Sequence, residues 1–130
     1  MKIKPNQIRR MLMACPSSWE GMLDSGHTYY AKYRGGRLRV VFSHIPFNDA
    51  FIDWSNGFSV PAIDEILGNE YDGWMTTGDF VLHLNRHGLF DCSNSYLLWI
   101  KFRVIFERLY FSYERKRIAR QFRKFLLKKK

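Results

Sequence analysis

The sequence predicts an α+β protein: a small antiparallel sheet around a hairpin at residues 28–43, packed by short helices and a long C-terminal helix. Two patterns carry that prediction. Residues 28–43 alternate apolar and polar about the pair Gly35-Gly36, and from Tyr96 onward apolar residues recur at helical spacing. With 130 residues, 46% hydrophobic and 17% aromatic, the chain reads as a single folded domain with a real core and not as a disordered segment. The expected organisation is an α+β body over 1–95 followed by a helix over 96–130, its first half docked on the core and its distal half basic.

Residues 5–14 read as a short helix with Ile8, Met11, Leu12 and Cys15 on one side, stopped at Pro16. Ser17-Ser18-Trp19-Glu20 has the form of a capping box opening a short helix that ends near Gly26. In the hairpin, glycine at both turn corners permits the positive φ of a two-residue turn, and this fixes the register. Tyr33 then opposes Leu38, Ala31 opposes Val40 and Tyr29 opposes Phe42 on an apolar face. The other face carries Arg34 across from Arg37, Lys32 across from Arg39 and Tyr30 across from Val41. Like charges directly opposite destabilise a hairpin unless solvent or an anion relieves them.

Ala50 to Ser55 reads as a third strand leading through Asn56-Gly57 to Phe58. Ser59 is placed to cap a short helix with Pro61 in its first turn and Gly68 past its end. Residues 72–77 read as a loop. Thr77 is placed to cap a helix from Gly78 to His87 that Gly88 terminates, although Phe80 to Leu84 also suits a strand. The final helix starts from a cap at Ser93 or Asn94.

Charge is segregated along the chain. Residues 1–39 carry +6, residues 40–95 carry −7 and residues 96–130 carry +10, against a net of +9. Such asymmetry governs association with anionic partners more than it governs fold. On a wheel of 100° per residue, Leu98, Phe102, Ile105, Phe106, Leu109 and Tyr113 share one wide face, expected to meet the core. The same face continues as Lys116, Arg117, Arg120, Arg123 and Lys124. A narrower apolar stripe of Ile100, Val104, Phe111, Ile118, Phe122 and Phe125 runs on the opposite side, to be covered by a second copy of the chain, by its own acidic middle segment or by a partner protein, with Ile118, Phe122 and Phe125 expected to meet a protein surface.

Catalytic signatures are missing. The sequence has no GxxxxGK[ST], no GxGxxG and no GxSxG, so no cofactor and no enzyme activity are expected. Asp79, His83 and His87 fall at i, i+4 and i+8, a spacing that suits metal ligation on a helix. Without an HExxH, and with His87 just ahead of the terminating Gly88, no metal is expected there. His27 and His44 flank the hairpin near Asp49 and Asp53, which suggests a nuclease-like cluster only if those groups converge. The two cysteines, Cys15 and Cys92, form no CxxC pair and point to reduced thiols in the cytoplasm. The apolar run at Met11–Cys15 is shorter than the roughly 7 to 15 residues of an export signal. Lys101, Arg103, Glu107 and Arg108 interrupt Tyr96–Tyr113 as a membrane span.

The leading expectation is a small non-enzymatic protein that binds DNA or RNA through Lys32, Arg34, Arg37 and Arg39 of the hairpin and Lys116, Arg117, Arg120, Arg123 and Lys124 of the distal helix. A two-stranded basic ribbon or a basic helix each fits a duplex major groove. The alternative is an inhibitor or adaptor, of mobile-element or anti-defence type, that docks its basic helix on an acidic or nucleic-acid-handling protein. A third reading lays the amphipathic tail on an anionic membrane surface.

Overall fold

The hairpin forms in the expected register and becomes the centre of a larger sheet. The computed structural model describes residues 1–12, 16–70 and 72–128. Within them β1 (Arg10–Leu12), β2 (Ser17–Met22), β3 (Thr28–Arg34), β4 (Arg37–Phe42) and β5 (Ile63–Ile66) make one antiparallel sheet whose spatial order follows the sequence. Three helices accompany it: α1 (Ala50–Ser55), α2 (Thr77–Arg86) and α3 (Asn94–Lys128). The fold is α+β. It divides into two compact units, Met1–Ser93 and Asn94–Lys130.

The β3–β4 turn explains why both corner residues are glycine. Gly35 and Gly36 sit at φ 60° and 75°, in the left-handed region. Gly36 is also clamped: its carbonyl accepts from Leu67 N–H at 2.7 Å and Gly68 N–H at 3.0 Å, and its own N–H donates to the Asp72 carbonyl at 2.6 Å. A Cβ there would lie 2.3 Å from the Gly68 carbonyl oxygen. Tyr33 adds a hydrogen bond from its hydroxyl to Asp72 Oδ2 at 2.5 Å, so the segment after β5 holds the hairpin tip in place.

Strand parity then sorts the sheet into two faces. Trp19, Tyr29, Ala31, Tyr33, Leu38, Val40 and Ile63 are buried on one. Helix α2 covers that face: Trp19 stacks on Phe80 with ring centroids 4.2 Å apart, and its indole N–H donates to Thr77 Oγ1 at 3.1 Å. Ile3 and Phe90 join this core through a single parallel bridge. The opposite face is covered at one end by α1, whose Ala50 N–H donates to Thr28 Oγ1 at 2.9 Å. Its remainder stays open.

Four local expectations are corrected. Residues 5–14 hold a 3-10 turn at Pro5–Gln7 and then β1, with residues 13–15 outside the described part. Ser17–Met22 is a strand, because Trp19 gains a buried stack across the sheet that a capping box at Ser17 would forgo. Ala50–Ser55 is a helix, since Asp49 caps it by accepting from Ile52 N–H at 3.0 Å. Residues 63–66 pair with β4 as an edge strand, where a helix was expected after Ser59. The helix at 77–86 forms, capped by Thr76 in place of Thr77.

Alpha3 runs 35 residues, about 52 Å at 1.5 Å per residue. Taken by itself it is a lone helix, and the face expected to be covered, Leu98, Phe102, Ile105, Phe106, Leu109 and Tyr113, finds no cover within that unit. No helix among the described residues is long and apolar enough to cross a membrane.

The two demands at the turn are separable. Gly57 also has a positive φ, 80°, but nothing lies within 4 Å of its missing Cβ. Gly57→Ala should cost about 1 kcal/mol through backbone strain alone. Gly36→Ala should cost clearly more, since it adds a backbone collision to that strain. Urea midpoints of the two variants check this ordering, and equal losses would refute the clamp.

Candidate anion-binding groove

The open part of the second sheet face is a groove of about 270 Å³ lined by Tyr30, Lys32, Arg34, Arg37, Arg39, Val41, Phe51 and Trp54. Period-two alternation puts Tyr30, Lys32 and Arg34 of β3 beside Arg37, Arg39 and Val41 of β4. All four hairpin cations singled out from the sequence therefore converge. The wall is supplied by α1, whose Phe51 and Trp54 lie one turn apart on the side facing the sheet.

Aromatic contacts fix that wall. Phe51 meets Tyr30 edge-on at 5.2 Å and Trp54 edge-on at 6.1 Å. The Arg39 guanidinium lies 4.9 Å from the Trp54 ring centroid, a cation–π arrangement. Phe51 itself remains 45% exposed, so its ring has surface to offer a ligand.

Asp64 on β5 partly relieves the like-charge crowding. It pairs across from Arg39 and accepts two hydrogen bonds from Arg37, from Nε to Oδ1 and from Nη2 to Oδ2 at 2.8 Å. Arg39 Nε stands 3.7 Å from Asp64 Oδ1, an ion pair without a hydrogen bond, and that buried N–H has no hydrogen-bond partner. The hydrogen bonds and charge of Arg37 hold the Asp64 carboxyl below the usual carboxylate range. Among the described residues Lys32 and Arg34 make no ion pair. One carboxylate against four cations leaves the groove positive.

Carboxylates enter past Tyr30. Its cross-strand neighbour on β2 is Glu20, and together with burial this carboxylate raises the Tyr30 phenol above its ordinary value, burial acting more strongly. Glu20 and Asp49, together with Arg9, line a second hollow, about 320 Å³, that shares Tyr30 with the first. The sheet face thus passes from cationic at the hairpin tip to mixed charge at its far end, where two carboxylates meet one guanidinium.

The other candidate clusters go to structural work. Asp53 is buried and accepts from the His44 backbone N–H at 2.7 Å, while Asp49 caps α1, and His27 Nδ1 lies 2.9 Å from Ser25 Oγ. The nuclease-like convergence of these residues is not formed. Asp79 accepts from the Thr76 hydroxyl at 3.1 Å at the start of α2, and His87 Nε2 lies 3.0 Å from Glu65 Oε2. Among the described residues no three His, Cys, Asp or Glu are grouped to hold a metal ion.

On α3, Lys116, Arg117, Arg120, Arg123 and Lys124 are exposed, with Arg117 Nη2 donating to Glu114 Oε2 at 2.8 Å. Ile118, Phe122 and Phe125 are exposed as well. Sequence reasoning missed Phe51, Trp54 and Asp64. Asp49 followed by apolar residues at i+2 and i+5 was a usable helix signal for the first two. Asp64 had none, because β5 places Glu65 on the α2 side, toward Arg86 and His87, and Ile66 outward at 76% exposure. That reverses the expected alternation.

No protein-family description, no curated protein and no solved structure matches the chain.

The Asp64 pairing makes a pH-dependent contribution with a defined sign. Its folded pKa is depressed, so the stabilisation is present above the unfolded value of 3.8 and is lost as pH falls through the folded pKa. Wild type should exceed Asp64→Asn by no more than about 1 kcal/mol at neutral pH, because the pair is partly solvated. The gap should shrink below pH 3.8, as read by urea unfolding across that range. A gap that stays constant into strong acid would contradict the pairing.

Proposed function

We propose that the protein is a non-enzymatic nucleic-acid-binding protein acting in the cytoplasm, with the hairpin groove as its principal phosphate contact and the distal half of α3 as an auxiliary one. The observation that carries this reading is the convergence of Lys32, Arg34, Arg37 and Arg39 on one aromatic-walled face with a single carboxylate among them. Cations gathered in this way bind phosphates and release counterions, while neighbouring aromatic rings give bases a surface to pack on. Lys116, Arg120, Arg123 and Lys124, which make no ion pair among the described residues, give a second element a positive surface of its own. The acidic residues of the middle segment support the reading too, because the carboxylates of Asp49 and Asp53 accept backbone N–H groups and that of Asp79 accepts the Thr76 hydroxyl.

Fluorescence anisotropy with a labelled oligonucleotide at graded salt tests the proposal. Engagement of about six cations gives a slope of log affinity against log salt of roughly −4 to −5. Lys32→Glu with Arg34→Glu should weaken binding at least about tenfold and make the slope less steep by roughly 1.5. Asp64→Asn should strengthen binding, because it frees Arg37 from its carboxylate. A salt-independent signal, or an Asp64→Asn variant that binds more weakly while folded, would remove this function.

A further inference from the structure

We infer that the groove takes an unpaired nucleotide of a single strand, with its phosphate toward the Gly35-Gly36 turn and its base against Phe51 and Tyr30. The inference rests on the nucleic-acid reading and goes further, to strandedness and polarity.

The position of the hairpin in the sheet excludes the duplex mode that a basic ribbon suggests. A two-stranded ribbon enters a major groove about 12 Å wide only when both its edges are free. Here β3 is flanked by β2 and β4 by β5, so the cations lie on the broad face of a five-stranded sheet. That face is also recessed, since α1 rises beside it and the cations form its floor and far end. Base edges inside a stacked duplex do not reach into such a hollow. A splayed base on a flexible strand does, and the groove's 270 Å³ is on the scale of one small organic ligand.

The chemistry of the two ends sets the direction. Arg34 and Arg37 flank the turn, with Lys32 and Arg39 next along the strands, so negative charge is favoured there. Tyr30, Phe51 and Trp54 occupy the other end. One face of Trp54 already carries Arg39, which leaves half-exposed Phe51 as the principal stacking surface. Beyond Tyr30 stands Glu20, which repels phosphate and accepts hydrogen bonds from an exocyclic base amine.

The test compares a labelled short oligodeoxycytidine, whose bases carry an exocyclic amine, with a duplex of equal length, using the full chain and competing each with polyglutamate. Preference for the single strand by about tenfold or more is expected, with loss of that preference in Phe51→Leu and its retention in Phe51→Tyr. Leucine keeps the apolar bulk that packs α1 but has no ring face, so a fold defect and a stacking defect separate. Circular dichroism of both variants confirms the fold. Equal affinity for duplex and single strand overturns this inference and leaves the nucleic-acid reading standing. Displacement of the strand by polyglutamate at equal charge overturns it in favour of an acidic protein partner, and absence of binding to either oligonucleotide overturns both.

Discussion

Everything in the body of this protein depends on the register of one β-hairpin. Two glycines in the left-handed region join β3 to β4, and with that turn fixed the parity of every residue from Thr28 to Phe42 is fixed as well. A slip of one residue would exchange Tyr29, Ala31, Tyr33, Leu38 and Val40 for four cations in the core. The penalty for burying unpaired charge excludes that arrangement. The clamp of Gly36 by Leu67, Gly68 and Asp72 makes the same choice a second time, from the other end of the sheet.

The hairpin thereby creates a problem and the next elements of the chain answer it. Arg34 faces Arg37 and Lys32 faces Arg39, pairs that repel in a bare hairpin. Beta5 brings Asp64 beside Arg37 and Arg39, and α1 brings the ring of Trp54 under the Arg39 guanidinium. Neither device neutralises Lys32 or Arg34. What remains is a positive concavity whose rigidity comes from strands and whose wall comes from a single short helix, a combination that holds binding groups in place without demanding their rearrangement.

The second unit is built on a different principle. Alpha3 carries local side-chain pairs along its length, among them the ion pairs Arg103–Glu107 at i, i+4 and Glu114–Arg117 at i, i+3 and the ring contacts Tyr96–Trp99 and Tyr110–Phe111. Its apolar and cationic residues follow one another along the same face, so the helix changes character along its length and not only around its circumference.

Local chemistry determined a good part of this structure. The hairpin register, the apolar face, the four converging cations and the existence of the long helix all follow from short-range rules: glycine pairs, alternation by two and recurrence by 3.6. Those rules act between neighbours in sequence, which is why they can be read from it. The helix at Ala50–Ser55, the strands at Ser17–Met22 and Ile63–Ile66, and with them Phe51, Trp54 and Asp64 in the groove, were decided only by tertiary structure. Trp19 needed Phe80, 61 positions away, to make a strand preferable to a capped turn, and Asp64 needed Arg37 and Arg39 to become part of a site. The sequence by itself settled where the positive charge converges, and the packing of distant segments settled that the charge lies in a walled groove, because burial and pairing between remote residues outweigh local propensities of a few tenths of a kcal/mol each.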